Sequence, residues 1–141
     1  MYITKMEHLQ DKIFGRYDIR GLYPDEIDEG VVDSVADVLA REVFKKGKIV
    51  LGRDGRNSSP DLYEAAKRAL ERFESIEVVD AGLMTTPMLY FLVNDLETSG
   101  GIMITASHDA KERNGIKAVR RGEGESGFIS GDEIKDMLEK R

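Results

Sequence analysis

The sequence predicts an α/β fold, a sheet layered against helices, and three observations carry that expectation. Apolar residues recur at helical spacing in several stretches. Short apolar runs ending in Gly, Asp, Ser or Arg lie between them. The two kinds of segment alternate along the chain, the pattern of helices packed on a sheet with ligands favoured at the strand ends. A chain of 141 residues, 40% of them hydrophobic, is long enough to bury one core. It has no internal repeat, low-complexity tract or linker, so a single domain over 1–141 is expected.

The elements follow in order. A helix is expected from about Val31 to Lys45, with Val31, Val35, Val38, Leu39 and Phe44 inward. A strand follows at 48–51. Ser59-Pro60 and Thr86-Pro87 each read as a capping hydroxyl followed by a proline at the first helical position, where its missing N–H costs nothing. The first of these helices carries Leu62, Ala66, Ala69, Leu70 and Phe73 on one stripe. Strands are expected at 76–79, 101–105 and 115–119. The glycine-rich stretch 122–127 reads as a hairpin-like loop before Phe128-Ile129. Ser130 and Glu133 form an S-x-x-E capping box, opening a last helix with Ile134, Met137 and Leu138 inward.

Composition removes several function classes. Lys and Arg total 21 against 27 Asp and Glu, a formal charge of −6, which argues against nucleic-acid binding. No apolar run is long enough to span a bilayer, so no membrane partner is expected. The absence of Cys excludes disulfides, thiol catalysis and Cys-ligated metals, and His8 and His108 alone make no multi-histidine zinc site. The first twelve residues lack the apolar core of a signal peptide. A cytoplasmic location fits best.

Three segments are dense in polar residues and glycine. FGRYDIRG at 14–21 places two arginines and two glycines within eight residues. That suits either an anion held by guanidinium forks or an Arg–Asp salt bridge tying a loop. LGRDGRNSSP at 51–60 holds Asp54-Gly55, plain turn chemistry, while Arg53 and Arg56 could anchor a neighbouring loop. No Walker loop is present. In GGIMITASHDAKERNGIK at 100–117 an apolar strand delivers Thr105, Ser107 and His108 into a loop, with Lys117 beyond a second turn at Asn114-Gly115. A serine next to a histidine is weak evidence for a hydrolase, whose triad partners are normally distant in sequence, and the G-x-S-x-G elbow is missing. Taken alone, Ser107 is a turn residue or helix cap.

The order of these segments says more. YDIRG at 17–21, GRDGR at 52–56, DAGLMTTPMLYF at 80–91 and TASH…NGIK at 105–117 stand in a register that strongly resembles the first domain of the α-D-phosphohexomutases, the phosphoglucomutase/phosphomannomutase family. The resemblance runs from about Ile13 to Gly131. It implies a three-layer α/β/α sandwich around a small mixed sheet of about four strands, one antiparallel to the others. It also implies an isomerase that interconverts hexose 1-phosphate and 6-phosphate through a bisphosphate intermediate, with a phosphoserine as phosphoryl carrier. Ser107 matches that serine. His108, Lys117 and Arg20 match the catalytic residues around it, and either His108 or Lys117 would act as base. Tyr17, Arg20 and Lys117 match residues that meet the sugar phosphate. Mg2+ would be held by Ser107 through its phosphate and by an Asp-rich loop of the second domain, with a sugar bisphosphate as activator.

Two departures shape the expectation. Family members read S-H-N-P where this chain has Ser107-His108-Asp109-Ala110. Losing the proline loosens the loop, and a carboxylate ~5 Å from a phosphate at an effective dielectric of ~20 costs on the order of 3 kcal/mol per charge pair before screening. The departure weighs against ready phosphorylation of Ser107, and a divalent metal would offset much of it. Family members are also several-fold longer. The D-G-D-G-D-R metal loop and the parts that select glucose, mannose or glucosamine phosphate belong to domains II–IV, and none is found here. The expected partners are a hexose phosphate, the missing domains or a separate partner chain, and a second copy. Self-association would use apolar residues near Phe128 and Ile129 and near Tyr17, Ile19 and Leu22. The isolated chain is expected not to be fully active. The alternative is a freestanding, non-catalytic domain that binds a partner or a phospho-ligand.

Overall fold

Local sequence accounts for each element of the computed structural model, which describes residues 9–122 and 127–140. Asp28 caps the first helix, α1 (Glu29–Leu39), by accepting from the Val31 N–H at 2.8 Å. The helix runs on through one wide turn (Ala40–Phe44), closed by the Lys45 N–H on the Ala40 carbonyl at 2.9 Å. Strand β1 (Ile19–Leu22) precedes it and β2 (Gly47–Arg53) follows. Then come α2 (Ser59–Glu71), β3 (Ile76–Leu83), α3 (Thr86–Asp95), β4 (Gly100–Ile104), β5 (Arg113–Arg120), β6 (Phe128–Ile129) and α4 (Gly131–Glu139). The capping box at Ser130 and Glu133 forms as expected.

The other two caps shift by one residue. Thr85, not Thr86, accepts from the Met88 N–H, and Ser58 and Ser59 leave α2 uncapped. Both serine hydroxyls instead bond side chains of other segments. His8 and most of the hairpin-like loop expected at 122–127 lie outside the described residues.

The sheet has six strands among the described residues, two more than expected, in the order β1-β5-β4-β2-β3 with β6 also on β5. β3, β2 and β4 run parallel, while β5 is antiparallel to β4, β1 and β6. One strand thus opposes all the rest. β1 pairs with residues 113–116 of β5 and β6 with Ala118 and Val119, so two short strands share one edge. Their brevity hid them: β1 is four residues with Arg20 and Gly21 at its centre, and β6 is two.

Period-two alternation divides the core between the faces. Ile49, Leu51, Ile102, Ile104 and Ile116 pack under α1, α2 and α4, against Val35, Leu39, Leu62, Leu70 and Ile134. Val50, Met103 and Val119 point the other way, against Leu89 and Val93 of α3. The layers are therefore three helices, the sheet, and one helix, a mixed α/β/α sandwich. Because α3 rests mainly on β2 and β4, the same face of β5 and β1 is left for polar side chains. Lys117 and Arg20 project there, at positions alternating with the buried Ile116 and Ile19.

Only part of the association surface expected from sequence is exposed. Ile19 and Ile129 are completely buried, each on the core side of its strand, while Tyr17 and Leu22 are exposed. Leu83, Met88 and Phe91, at the end of β3 and on α3, are exposed too. No helix among the described residues is long and apolar enough to cross a membrane.

Candidate active site

The loop that follows β4 is held from both sides. The Thr105 hydroxyl donates to Asp54 Oδ2 at 2.8 Å and accepts from the Ser107 N–H at 2.9 Å. Ser107 itself sits at φ +59°, left-handed backbone that costs an L-residue about 1 kcal/mol or more and persists only where neighbours over-determine it. Its side chain is exposed at the loop tip.

Arg56 supplies the other side. Its Nε donates to Asp54 Oδ2 at 3.1 Å. Nη1 donates to the Ala110 carbonyl at 2.6 Å and the Arg113 carbonyl at 3.1 Å. Nη2 donates to the Ser107 carbonyl at 3.1 Å and the Asp109 carbonyl at 2.8 Å. All five guanidinium N–H groups are thereby engaged. Arg53, its partner in the GRDGR motif, donates among the described residues to the adjacent Asp54 carbonyl, at 3.1 Å.

Asp54 is the shared anchor. Besides Arg56 and Thr105 it accepts from the Ser59 hydroxyl at 2.6 Å. The buried Asn114 amide donates to Ser58 and Ser59 at 2.8 and 3.0 Å, tying the start of α2 to β5. Burial pushes the Asp54 carboxyl up, but the Ser59 and Thr105 hydroxyls, the Arg56 N–H and the Arg56 charge outweigh it and hold it below the usual carboxylate range.

The cations are organised by a different carboxylate. Asp18, largely buried, accepts from Arg20 Nε at 2.8 Å and lies 3.8 Å from Lys117 Nζ. The Arg–Asp tie and the arginine of the first polar segment are thus both present. Lys117 also stands 5.9 Å from the centre of the Phe128 ring. Arg20 Nη1 reaches to 3.9 Å from Asp109, whose carboxylate pairs with Arg113 Nε at 2.8 Å. The Ala110 N–H, then Arg113 and Arg20, hold Asp109 below the usual carboxylate range. The carboxylate that departs from the family motif is thus paired with two arginines.

Ser107 and His108 line a cavity of about 390 Å³ with Asp54, Met84, Thr85, Thr86, Pro87, Met103 and Thr105. Arg20 and Lys117 meet at Asp18 beside the loop, outside the lining of that cavity. Tyr17 stands 63% exposed at the tip of the turn closed by the Gly15 N–H on the Asp18 carbonyl. Gly131, at the start of α4, lies so close beneath that turn that a Cβ there would come within 2.5 Å of the Asp18 and Gly15 carbonyl oxygens. Among the described residues no three His, Asp or Glu side chains gather as a metal would require. The carboxylates near Ser107 already accept from hydroxyls or cations, so the residues present do not make a metal site on their own.

Residues 11–141 match the family model for the phosphoglucomutase/phosphomannomutase α/β/α domain I. The chain belongs to this family. It is 35% identical over 135 residues to a phosphoglucomutase from Neisseria gonorrhoeae, covering 94% of this chain and 28% of that one. It is 34% identical over 142 residues to a phosphomannomutase/phosphoglucomutase from Pseudomonas aeruginosa, covering 99% and 30%. The crystal structure of a phosphoglucomutase/phosphomannomutase family protein from Burkholderia thailandensis superposes with a TM-score of 0.79 at 34% identity, over 94% of this chain and 30% of that one. The chain thus spans less than a third of the length of these phosphohexomutases.

Within this phosphohexomutase domain, sequence reasoning passed over Arg113, saw Asp18 only as one half of an Arg–Asp tie and read Asp54 as a turn residue. The one available signal was charge. Asp18 and Asp54 each lie within two residues of an arginine, and each proves to hold it.

Proposed function

We propose that this domain carries the phosphoryl group of a phosphohexomutase on Ser107. The observation that carries the reading is the serine of the family motif on a braced, exposed loop tip at the edge of a cavity, with Arg20 reaching that loop at Asp109 and sharing Asp18 with Lys117. In the charging step Ser107 Oγ attacks a phosphorus of a hexose bisphosphate. The Oγ–P bond forms, the sugar O–P bond breaks, the Oγ proton passes to a base and the departing sugar oxygen takes up a proton. His108 on the loop and Lys117 beside it are the side chains that could handle the proton. Arg20 and Lys117 would face the phosphate charge, and Asp18 keeps them oriented while doing so. Conversion then starts from phosphorylated Ser107. Its phosphoryl group passes to the 6-hydroxyl of a hexose 1-phosphate, the Oγ–P bond breaking as the sugar O–P bond forms and the hydroxyl proton going to the base. Once the resulting bisphosphate has reoriented, its 1-phosphate is returned to Ser107, leaving hexose 6-phosphate. No step is routed through a metal, because this chain alone does not supply its ligands. Mg2+, a cytoplasmic location and the rest of a longer enzyme belong to the same proposal.

The test is intact-mass spectrometry after incubation with glucose or mannose 1,6-bisphosphate and magnesium. One added phosphoryl mass is expected, lost in Ser107→Ala. An added mass that survives the substitution, or none in the unaltered chain, overturns the reading. The second outcome leaves the alternative of a non-catalytic phospho-ligand-binding domain.

Asp109→Asn gives a graded check. The carboxylate is exposed enough, and close enough to Arg113 and Arg20, that its loss should raise incorporation by no more than about tenfold. A larger rise would mean that the two arginines do not offset it.

A further inference from the structure

We propose that Arg56 is a positioning residue for phosphoryl transfer, holding Ser107 in its left-handed conformation by geometry rather than by charge. This rests on the reading of Ser107 as carrier. The loop from 107 to 113 turns four carbonyl oxygens, those of Ser107, Asp109, Ala110 and Arg113, toward one guanidinium. Carbonyls converging on a point without a donor would repel one another and leave acceptors unmet. The guanidinium has the planar fork that serves four acceptors while its Nε stays on Asp54. Its side chain is only 12% exposed, so water does not readily replace it.

The clamp acts on Ser107 from both peptide groups. Asp54 orients Thr105, whose hydroxyl takes the Ser107 N–H, and it orients Arg56, which takes the Ser107 carbonyl. One carboxylate on the β2–α2 turn therefore fixes a strained residue more than fifty positions further along the chain. The family proline that would stiffen this loop is Ala110 here, and the shortest Arg56 bond goes to that residue's carbonyl. The hydrogen-bonded clamp supplies the stiffness that the sequence lacks.

Arg56→Lys separates geometry from charge. Lysine keeps the positive charge but offers three donors on a single nitrogen and cannot span the four carbonyls. Two measurements are made on the whole chain. The first is amide hydrogen exchange of residues 106–113 without ligand. The second is the rate of phosphoryl incorporation as bisphosphate concentration is varied. Exchange in the loop should rise at least about tenfold in Arg56→Lys, the equivalent of ~1.4 kcal/mol, with protection in β2 and β4 unchanged. Maximal incorporation should fall about tenfold or more, with the half-saturating concentration moving far less, since the sugar-phosphate contacts remain.

Loop exchange equal to that of the unaltered chain overturns the clamp, whatever the transfer rate. Full activity in Arg56→Lys shows that charge, not geometry, is what matters, and overturns it as well. A loosened loop with no phosphoryl uptake even in the unaltered chain overturns the carrier reading and, with it, any role of Arg56 in transfer. If Arg56→Lys fails to fold, Asp54→Asn, which leaves the guanidinium but removes its carboxylate, takes its place. Intermediate loop exchange is then expected, and none above the unaltered chain refutes the clamp.

Discussion

Replacing Gly115 with alanine should destabilise the domain by about 3 kcal/mol or more, among the largest losses a single methyl can cause. A Cβ there would stand 2.0 Å from the Ile19 carbonyl oxygen and 3.1 Å from both the Ile19 carbonyl carbon and the Thr105 oxygen. All three are backbone atoms, so no side-chain rotation relieves the clash. β1 would have to leave β5 at the register position where Arg20 faces Gly115. The loss would therefore reach function as well as stability, because Arg20 and Lys117 meet Asp18 only while the two strands stay paired. Chemical denaturation measures the first effect and phosphoryl incorporation the second. Gly122→Ala is the control: among the described residues nothing lies within 4 Å of a Cβ there, and a change within about 0.5 kcal/mol is expected. Equal behaviour of the two variants would show that β1 yields without cost.

The second large effect belongs to Asp54. Removing the carboxylate by Asp54→Ala leaves the Arg56 Nε, two hydroxyl groups and a backbone N–H short of their acceptor. A loss of about 3 kcal/mol is expected, the lower end for breaking a partly buried charged pair. Asp54→Asn should lose much of the same, since an amide NH2 would face donors whichever way it is turned.

The sign of the pH dependence follows from the depressed carboxyl. The folded state binds this proton less tightly than the unfolded chain does. Its contribution is therefore complete above the unfolded value of about 3.9 and is lost as pH falls through the lower folded value. Thermal melts between neutral pH and pH 3 should show an acid-side drop that is smaller in Asp54→Asn. An identical drop in both would assign acid sensitivity to other carboxylates.

How much of the site could be read in advance depended on range along the chain. TASH and NGIK were legible because a strand, its loop and the returning strand are contiguous. The positions of Ser107 and His108 in the loop after β4, and of Lys117 within the returning β5, follow from that local order. GRDGR was legible as a turn but not as a clamp. Arg53 and Arg56 look equivalent in the motif, yet only Arg56, past the turn, faces residues 107–113. The surroundings of Asp109 were only half legible: Arg113, its 2.8 Å partner, lies four residues on, but Arg20 comes to it from β1, 89 positions earlier in the chain.

By itself the sequence determined the α/β class, the helices and four of the strands, since amphipathic spacing and capping are properties of neighbouring residues. It also determined the family register through four ordered motifs. Tertiary structure alone decided that β1 and β6 share an edge of β5, that Ile19 and Ile129 are core rather than surface, and that Asp18 and Asp54 each gather cations or hydroxyls from separate segments. The physical reason is common to all three. Pairing, burial and charge compensation join residues that only the closed sheet brings within a few ångströms, and no periodicity along the chain encodes that distance.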